Sequence, residues 1–291
     1  RDLAPLHTGA HIMGIQGCLA AMPKTPQVLV FDTAFHTASM PDYAYVYPVS
    51  YDMYEKYAVR RYGAHGTSHR YVSGECIKLL GGKAEGTKIV TCHLGNGSSI
   101  SAVKDGKVLD TSMGFTPLAG IEMGTRCGDI DPAIVPYIMN KTGMNADEMN
   151  EYMNKKCGFL GVSGVSSDCR DVSAAAKAGN KRAKLALDIV SYQIRKFIGA
   201  YTAAMGGLDA IVFTAGIGEN DWSIRKAFCD CFEWLGVRID NNKNREAVGN
   251  GPQVISAAGY AVTVMVIPTD EEYMIARDTY EIVHNRSQIV P

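Results

Sequence analysis

The sequence has no surplus of positive charge: 29 Lys and Arg stand against 30 Asp and Glu, for a formal net charge of −1. Nucleic acids and anionic membranes are bound through clustered cations, so this balance argues against both partners and favours a small molecule. Long apolar runs are lacking as well. The longest, Tyr260 to Ile267, falls far short of the ~20 residues that a membrane helix requires. There are eight cysteines but no CxxC pair, so reduced thiols in a cytoplasmic protein are expected, not a disulfide framework. The chain does not open on Met: Arg1-Asp2-Leu3-Ala4-Pro5-Leu6-His7 has neither the layout of a signal peptide nor that of a disordered leader. Short-period repeats and low-complexity tracts are absent.

What is present is 291 residues, 46% of them hydrophobic, enough for two lobes of ordinary domain size. Residues 8–21 carry apolar side chains at helical spacing, and Pro23 and Pro26 close that helix before a buried strand, Gln27 to Phe31. A tyrosine-rich crossing segment, Tyr43 to Tyr62, precedes a helix of roughly Arg70 to Leu80. Lys88 to His93 then reads as a strand that empties into Gly95-Asn96-Gly97-Ser98-Ser99. Ser99 to Val103 alternates at period two, Asp105-Gly106 is a hairpin turn, and Lys107 to Asp110 returns as a strand. Asp131-Pro132 opens a helix. Asn180 to Met205 forms a long amphipathic one with Leu185, Ile189, Tyr192, Phe197 and Tyr201 among its apolar positions. A strand, Ala210 to Thr214, runs into a second glycine loop, Gly216-Ile217-Gly218-Glu219-Asn220, and a helix. A strand to Ile267 and a helix from Asp270 to about His284 complete the pattern.

Gly95-Asn96-Gly97 satisfies neither GxxxxGK[ST] nor GxGxxG, and it lies between strands instead of opening a helix. It reads either as the phosphate-holding hairpin of an actin-like nucleotide-binding architecture or as an ordinary hairpin turn. The second loop follows a buried strand and opens a helix, a place that favours an anion, so an adenosine site is plausible there beside the plain reading of a tight turn. Asp32 ends a strand, where open α/β sheets place working residues; it either serves Mg²⁺ through water or as a base, or caps the Thr33-Ala34-Phe35 turn. Arg126 is a fork-shaped cation among glycines, suited to an anionic ligand or to an ion pair with Asp129 or Asp131. His65 and His69 are four apart, but Gly66 replaces the Glu of HExxH, so His65 is read as a hydrogen-bond donor. Thr269 to Glu272 fits a capping box, which uses Glu272 and leaves Glu271 for a metal.

Eight stretches in order give a more specific reading: LAPLH (3–7), VFDTAFH (30–36), RRYGAHGTSH (60–69), HLGNGSS (93–99), MGTRCGDIDP (123–132), SSDCRD (166–171), TAGIGEN (214–220) and TDEE (269–272). Together they resemble the acetokinase family, within the acetate and sugar kinase/Hsp70/actin superfamily, over essentially the whole chain. The resemblance implies an α/β actin-like ATPase fold, related to ribonuclease H, with two lobes, and reversible transfer of the γ-phosphoryl of ATP to acetate. It implies Mg²⁺ or Mn²⁺ as cofactor, ATP/ADP and acetate/acetyl phosphate as partners, and a homodimer formed through the second lobe. By the same resemblance Asp32, His65 and Arg126 are catalytic, His7 binds substrate and Glu271 stands on the metal side. His93, Leu94, Gly95, Asn96, Gly97, Asp168, Cys169, Arg170, Gly216, Ile217, Gly218, Glu219 and Asn220 match the nucleotide-contacting segments.

Ala64 stands where many members of that family have Phe, Cys127 where Ser is usual and Asp270 where Asn is common. The family's first strands, with a further phosphate loop, a metal-side Asn and a substrate-binding Arg, would precede Arg1. The expectation is therefore an incomplete first lobe, residues 1–35 completed by the C-terminal helix of 272–291, and a second lobe spanning 36–271. Such a piece taken alone is expected to have little or no kinase activity. Rival readings are a propionate or butyrate kinase, a non-catalytic nucleotide-binding fragment, and a kinase that uses pyrophosphate.

Overall fold

The computed structural model describes residues 8–249 and 251–284. Three short helices between two longer ones lead in: α1 (Thr8–Ala21), α2 (Ala34–Thr37), α3 (Asp42–Tyr45), α4 (Tyr51–Tyr57) and α5 (Gly66–Leu79). The hairpin strands β1 (Lys88–Leu94), β2 (Ser98–Lys104) and β3 (Lys107–Thr111) follow, then α6 (Ile134–Thr142), α7 (Ala146–Lys155), α8 (Gly158–Ser163), α9 (Cys169–Lys177) and α10 (Lys181–Met205). β4 (Ala210–Thr214) leads to α11 (Ala215–Asn220), α12 (Trp222–Cys229), a 3₁₀ turn at Glu233–Leu235 and α13 (Asn241–Glu246). β5 (Gln253–Val254), β6 (Thr263–Val266) and α14 (Glu271–His284) end the described chain.

The six strands form one sheet in the order β3-β2-β1-β4-β6-β5. β1, β4 and β6 are parallel neighbours, and antiparallel strands flank them on both sides. The parallel strands are buried on both faces, as strands covered by helices on each side must be. On one face Val90, Cys92, Ile211, Phe213 and Val264 meet Ile194 and Ile198 of α10 and Phe228 of α12. On the other, Ile89, Val212 and Met265 meet Val72 and Cys76 of α5. The side-chain period of two thus splits each strand between two cores.

Several sequence expectations shift. Gln27 to Phe31 pairs with no strand among the described residues, and Leu29 and Phe31 are 55% and 65% exposed. A strand is made by pairing, and no sheet edge takes up this segment's N–H and C=O groups. Helix α5 begins at Gly66, not Arg70, which puts Thr67, Ser68 and His69 on the helix, all buried. Helix α6 begins after Asp131-Pro132, whose turn is held by Asp131 Oδ1 accepting from Ala133 N at 2.9 Å. On α10 the buried stripe is Ala183, Ala186, Val190, Ile194, Ile198, Tyr201 and Met205, while Leu185 and Tyr192 face outward. Small and β-branched residues let the helix lie close on the sheet. The capping box at Thr269 does not form: Asp270 Oδ1 accepts from Tyr273 N at 2.9 Å, so Asp270 is the N-cap and Glu272 takes no part.

Candidate active site

Three parallel strands bring the site together. His93 of β1 lies level with Thr214 of β4, and Phe213 of β4 level with Val266 of β6, so all three carboxyl ends open on one edge. The loops that follow are 95–97, the start of α11, and 267–270 before α14. In an open α/β sheet this edge is where ligands bind.

A cavity of about 630 Å³ lies there. Its lining gathers residues from three of the sequence-predicted stretches: Gly95 and Asn96; Asp168, Cys169 and Arg170; Gly216, Ile217 and Asn220. Phe159, Ser167 and Asp221 join them. Asp168 caps α9 by accepting from Arg170 N at 2.8 Å, and its carboxylate is also forked by the Arg170 guanidinium, at 3.0 Å to Nε and 2.5 Å to Nη2. Those hydrogen bonds hold the Asp168 carboxyl down at about 2. Within the first loop, Gly95 N donates to Gly97 O at 3.1 Å and to Ser98 Oγ at 3.2 Å, so this amide is used in shaping the loop itself.

His65 and Arg126 converge on the same loop from outside the cavity lining. A Cβ on Gly97 would lie 3.3 Å from Arg126 Nη1 and 3.4 Å from His65 Nε2, so glycine lets the guanidinium and the imidazole approach the backbone. Arg126 donates from Nη1 to Pro117 O at 3.2 Å and forms no ion pair among the described residues; Asp129 instead accepts from Gly120 N at 2.8 Å. Its half-burial lowers the guanidinium pKa through desolvation without making it neutral at ordinary pH. His65 occupies the left-handed region at φ 58°, a conformation that costs a non-glycine residue energy unless it is held. Asp32 holds it: Oδ2 accepts from His65 N at 2.7 Å and the Asp32 carbonyl accepts from Gly66 N at 2.7 Å. A Cβ on Gly66 would come within 2.3 Å of that carbonyl. The Asp32 side chain therefore serves the His65 turn and not the Thr33 turn, where no side-chain cap forms.

Glu271 opens α14 half-buried. Its pKa is raised, first by desolvation and then by the charge of Asp32, so the two carboxylates sense one another across the site. Two hard oxygen ligands of like charge suit a divalent cation that also binds phosphate oxygens, although no group of three or more metal-binding side chains clusters among the described residues. His7 lies outside the described residues.

The remaining predicted residues stand behind the cavity. His93 is buried, stacks on His65 with ring centroids 4.1 Å apart and meets Ser68 Oγ at 2.8 Å through Nδ1. Burial pushes it down to about 3. Leu94 is in the core. Glu219 turns from the cavity, and its Oε1 accepts from Ala215 N at 2.8 Å and Thr269 N at 3.2 Å. That carboxylate ties the strained turn at Ala215, φ 64°, to the segment that precedes α14. Sequence reasoning passed over Phe159, which carries no chemical signal, and Ser99 and His69, which sit inside quoted motifs but become legible only when side-chain partners are known.

A glycine hairpin and a strand-to-helix loop face one cavity, with an arginine and a histidine at its edge, on a mixed α/β sheet consistent with an actin-like ATPase fold, the class in which phosphotransferases of this kind are found. The family model of the Acetokinase family matches residues 1–277, and the chain belongs to that family. It is 56% identical over 289 residues to an acetate kinase of Methanosarcina barkeri, covering 99% of this chain and 70% of that protein. It is 57% identical over 281 residues to one of Clostridium botulinum, covering 96% and 70%. Among solved structures, Porphyromonas gingivalis acetate kinase matches with TM-score 0.90 at 49% identity, over 96% of this chain and 69% of that one. A propionate kinase from Francisella tularensis matches with TM-score 0.87 at 46% identity, over 94% and 69%.

Proposed function

We propose that the protein transfers the γ-phosphoryl group of ATP to acetate, reversibly, giving acetyl phosphate and ADP. The observation that carries this reading is the convergence of Arg126 and His65 on Gly97, at the rim of the cavity that Gly95 and Asn96 line. ATP would occupy that cavity, with its adenosine towards Gly216, Ile217 and Asn220 and its phosphates towards Asn96. Transfer brings an anionic acceptor onto an anionic phosphoryl group, so positive charge at the equatorial oxygens is what catalysis must supply. Arg126 offers a permanent cation there and His65 a ring nitrogen. Acetate is ionised at neutral pH and has no proton to give up, so Asp32 works by holding the His65 turn and ordering water around a cation, not as a base. Mg²⁺ held at Asp32 and Glu271 would neutralise phosphate charge; both residues supply the oxygen ligands it takes.

The domain division at residues 35/36 and 271/272 and a homodimer through the 36–271 lobe belong to the same proposal. Leu185 and Tyr192 of α10, with Tyr137 of α6, offer exposed apolar surface for pairing, and sedimentation velocity reads the mass. No helix among the described residues is long and apolar enough to cross a membrane.

The test is ADP release by the purified chain with ATP, Mg²⁺ and a panel of acetate, propionate and butyrate. Acetate is expected to give the highest kcat/KM. A preference for propionate would favour the second reading, which the similarity to a propionate kinase supports. ATP binding by titration calorimetry with no turnover on any acid would overturn the catalytic reading for this chain and agree with the inactivity expected of the piece from its sequence, whereas turnover would refute that expectation.

A further inference from the structure

Two partly buried thiols flank the loop that carries Arg126, and the proposed reaction uses neither. Cys127 follows Arg126 directly, and Cys157 stands just before α8, whose Phe159 lines the cavity. Hydrogen bonds between the two segments bring them together. Cys127 N donates to Met153 O at 3.1 Å, Cys157 N to Thr125 O at 3.0 Å and Phe159 N to Met123 O at 2.9 Å, while Thr125 Oγ1 donates to Asn154 O at 2.8 Å. Where the segments cross the fit is close: a Cβ on Gly158 would come 2.8 Å from Arg126 O and 3.0 Å from Arg126 N. The sulfurs share this crossing. The charge of Cys157 is among the causes that raise the Cys127 thiol, and Tyr152 senses both.

Exposure separates this pair from the other neighbouring thiols. Cys229 senses Cys92 and Cys231, but Cys92 and Cys229 are sealed in the core, 0% and 2% exposed. Cys127 and Cys157 both reach the surface. Burial raises the two thiols, so each is held as S–H at neutral pH and reacts slowly. At Cys157 the Tyr152 hydroxyl donates to the sulfur and offsets part of that burial, which makes Cys157 the member that reacts first. Cys127, whose Sγ donates to Gly128 O at 3.2 Å, is then the resolving thiol.

We infer that Cys127 and Cys157 are a site of reversible disulfide formation, closed by hydrogen peroxide and reopened by a dithiol. The Cys157 sulfur attacks one peroxide oxygen, the O–O bond breaks, Cys157 becomes a sulfenic acid, and the other oxygen leaves as water with the thiol's proton. Cys127 then attacks the sulfenic sulfur, the S–O bond breaks, and the hydroxyl leaves as a second water with the Cys127 proton. The two sulfurs give up one electron each, and the peroxide takes both. Closure brings the sulfurs to about 2 Å, shorter than any non-bonded contact, and so draws the segment that carries Arg126 towards the start of α8. A displacement on the order of 1 Å at such a group costs about a hundredfold in rate. That consequence rests on the proposed function; the disulfide does not.

The experiment treats the reduced chain with hydrogen peroxide under native conditions, blocks the remaining thiols with N-ethylmaleimide and maps the tryptic peptides without reduction. Peptide 127–141 should appear joined to 157–170, with fragmentation placing the bond at Cys157 and not at Cys169, and dithiothreitol should release it. Cys127→Ser and Cys157→Ser should each abolish the link. Peroxide should lower kcat of the wild type on the order of tenfold to a hundredfold, dithiothreitol should restore it, and both serine variants should keep their activity under the same treatment. Recovery with dithiothreitol separates the disulfide from methionine oxidation. No joined peptide from the folded wild type, or one joined through Cys169, overturns the inference whether or not the variants fold. A closed disulfide with unchanged kcat overturns the effect on Arg126. Absence of ADP formation by the wild type before oxidation would instead refute the proposed function, and the peptide map would still decide the disulfide.

Discussion

At the scale of single residues, the site separates groups that face a ligand from groups that hold them in place. In the proposed reaction Arg126 is of the first kind: its side-chain hydrogen bonds among the described residues go to the Pro117 carbonyl and, at 3.7 Å, the Met123 sulfur, so most of its donor fork would be left for an incoming anion. Arg126→Ala should lower kcat by about two to three powers of ten and leave the thermal midpoint nearly unmoved. Arg126→Lys should recover little, because an ammonium cannot reproduce the planar fork. Steady-state kinetics beside a melting curve check both, and an alanine variant within threefold of the wild type would remove Arg126 from the mechanism. Glycine is needed at 66 for a different reason, since a Cβ there would come within 2.3 Å of the Asp32 carbonyl; at 97 a Cβ would press on Arg126 and His65 and oblige their side chains to give by a few tenths of an ångström.

At the scale of elements, local signals of turn and period were legible in the sequence, while partnership was not. The hairpin at Asp105-Gly106, the long helix to Met205 and the strand at Ala210 all stand where their turn residues and spacing put them. Two of the three predicted site stretches in the cavity meet because the parallel strands β1 and β4 carry them to one edge, while the third, Asp168 to Arg170, arrives at the start of helix α9. What could not be read was which of two neighbouring groups a side chain would choose. The start of α14 is the clear instance. Thr269 and Glu272 have the types and spacing of a capping box, yet Thr269 Oγ1 bonds Ser68 Oγ at 2.8 Å, a residue 201 positions away, and leaves the cap to Asp270. Tertiary contact outweighed the local motif. Asp270→Ala should therefore cost about 1 kcal/mol in denaturant unfolding, and Glu272→Ala should change stability by less than the error of the measurement. The reverse order would restore the Thr269 box.

At the scale of the whole molecule, the same burial that organises the site should bend its stability with pH in two opposite senses. His36 and His93 are each pushed down to about 3 by burial, and His69 is lowered for the same reason. Their unfolded counterparts titrate near 6.5, so below that pH the unfolded chain binds protons that the folded one refuses, and stability falls from about 6.5 towards 3. Glu122 acts on the other side. It is 2% exposed, neither carboxylate oxygen has a partner among the described residues, and burial raises it to about 8. Between its unfolded value of 4.5 and 8 the folded carboxyl keeps a proton that the unfolded one has released, so stability is lost as pH rises through this window and levels off above it. Glu122→Gln keeps the shape and removes the titration. Unfolding free energies from denaturant titrations at pH 5 to 9 should show the variant gaining on the wild type up to about pH 8, then running parallel. A constant difference across that range would mean that the Glu122 carboxyl is solvated or paired in the folded protein. Because Glu122 lies four residues before Arg126, such a result would also mean that the segment carrying the cation is looser than its buried neighbours Ile121 and Met123 imply.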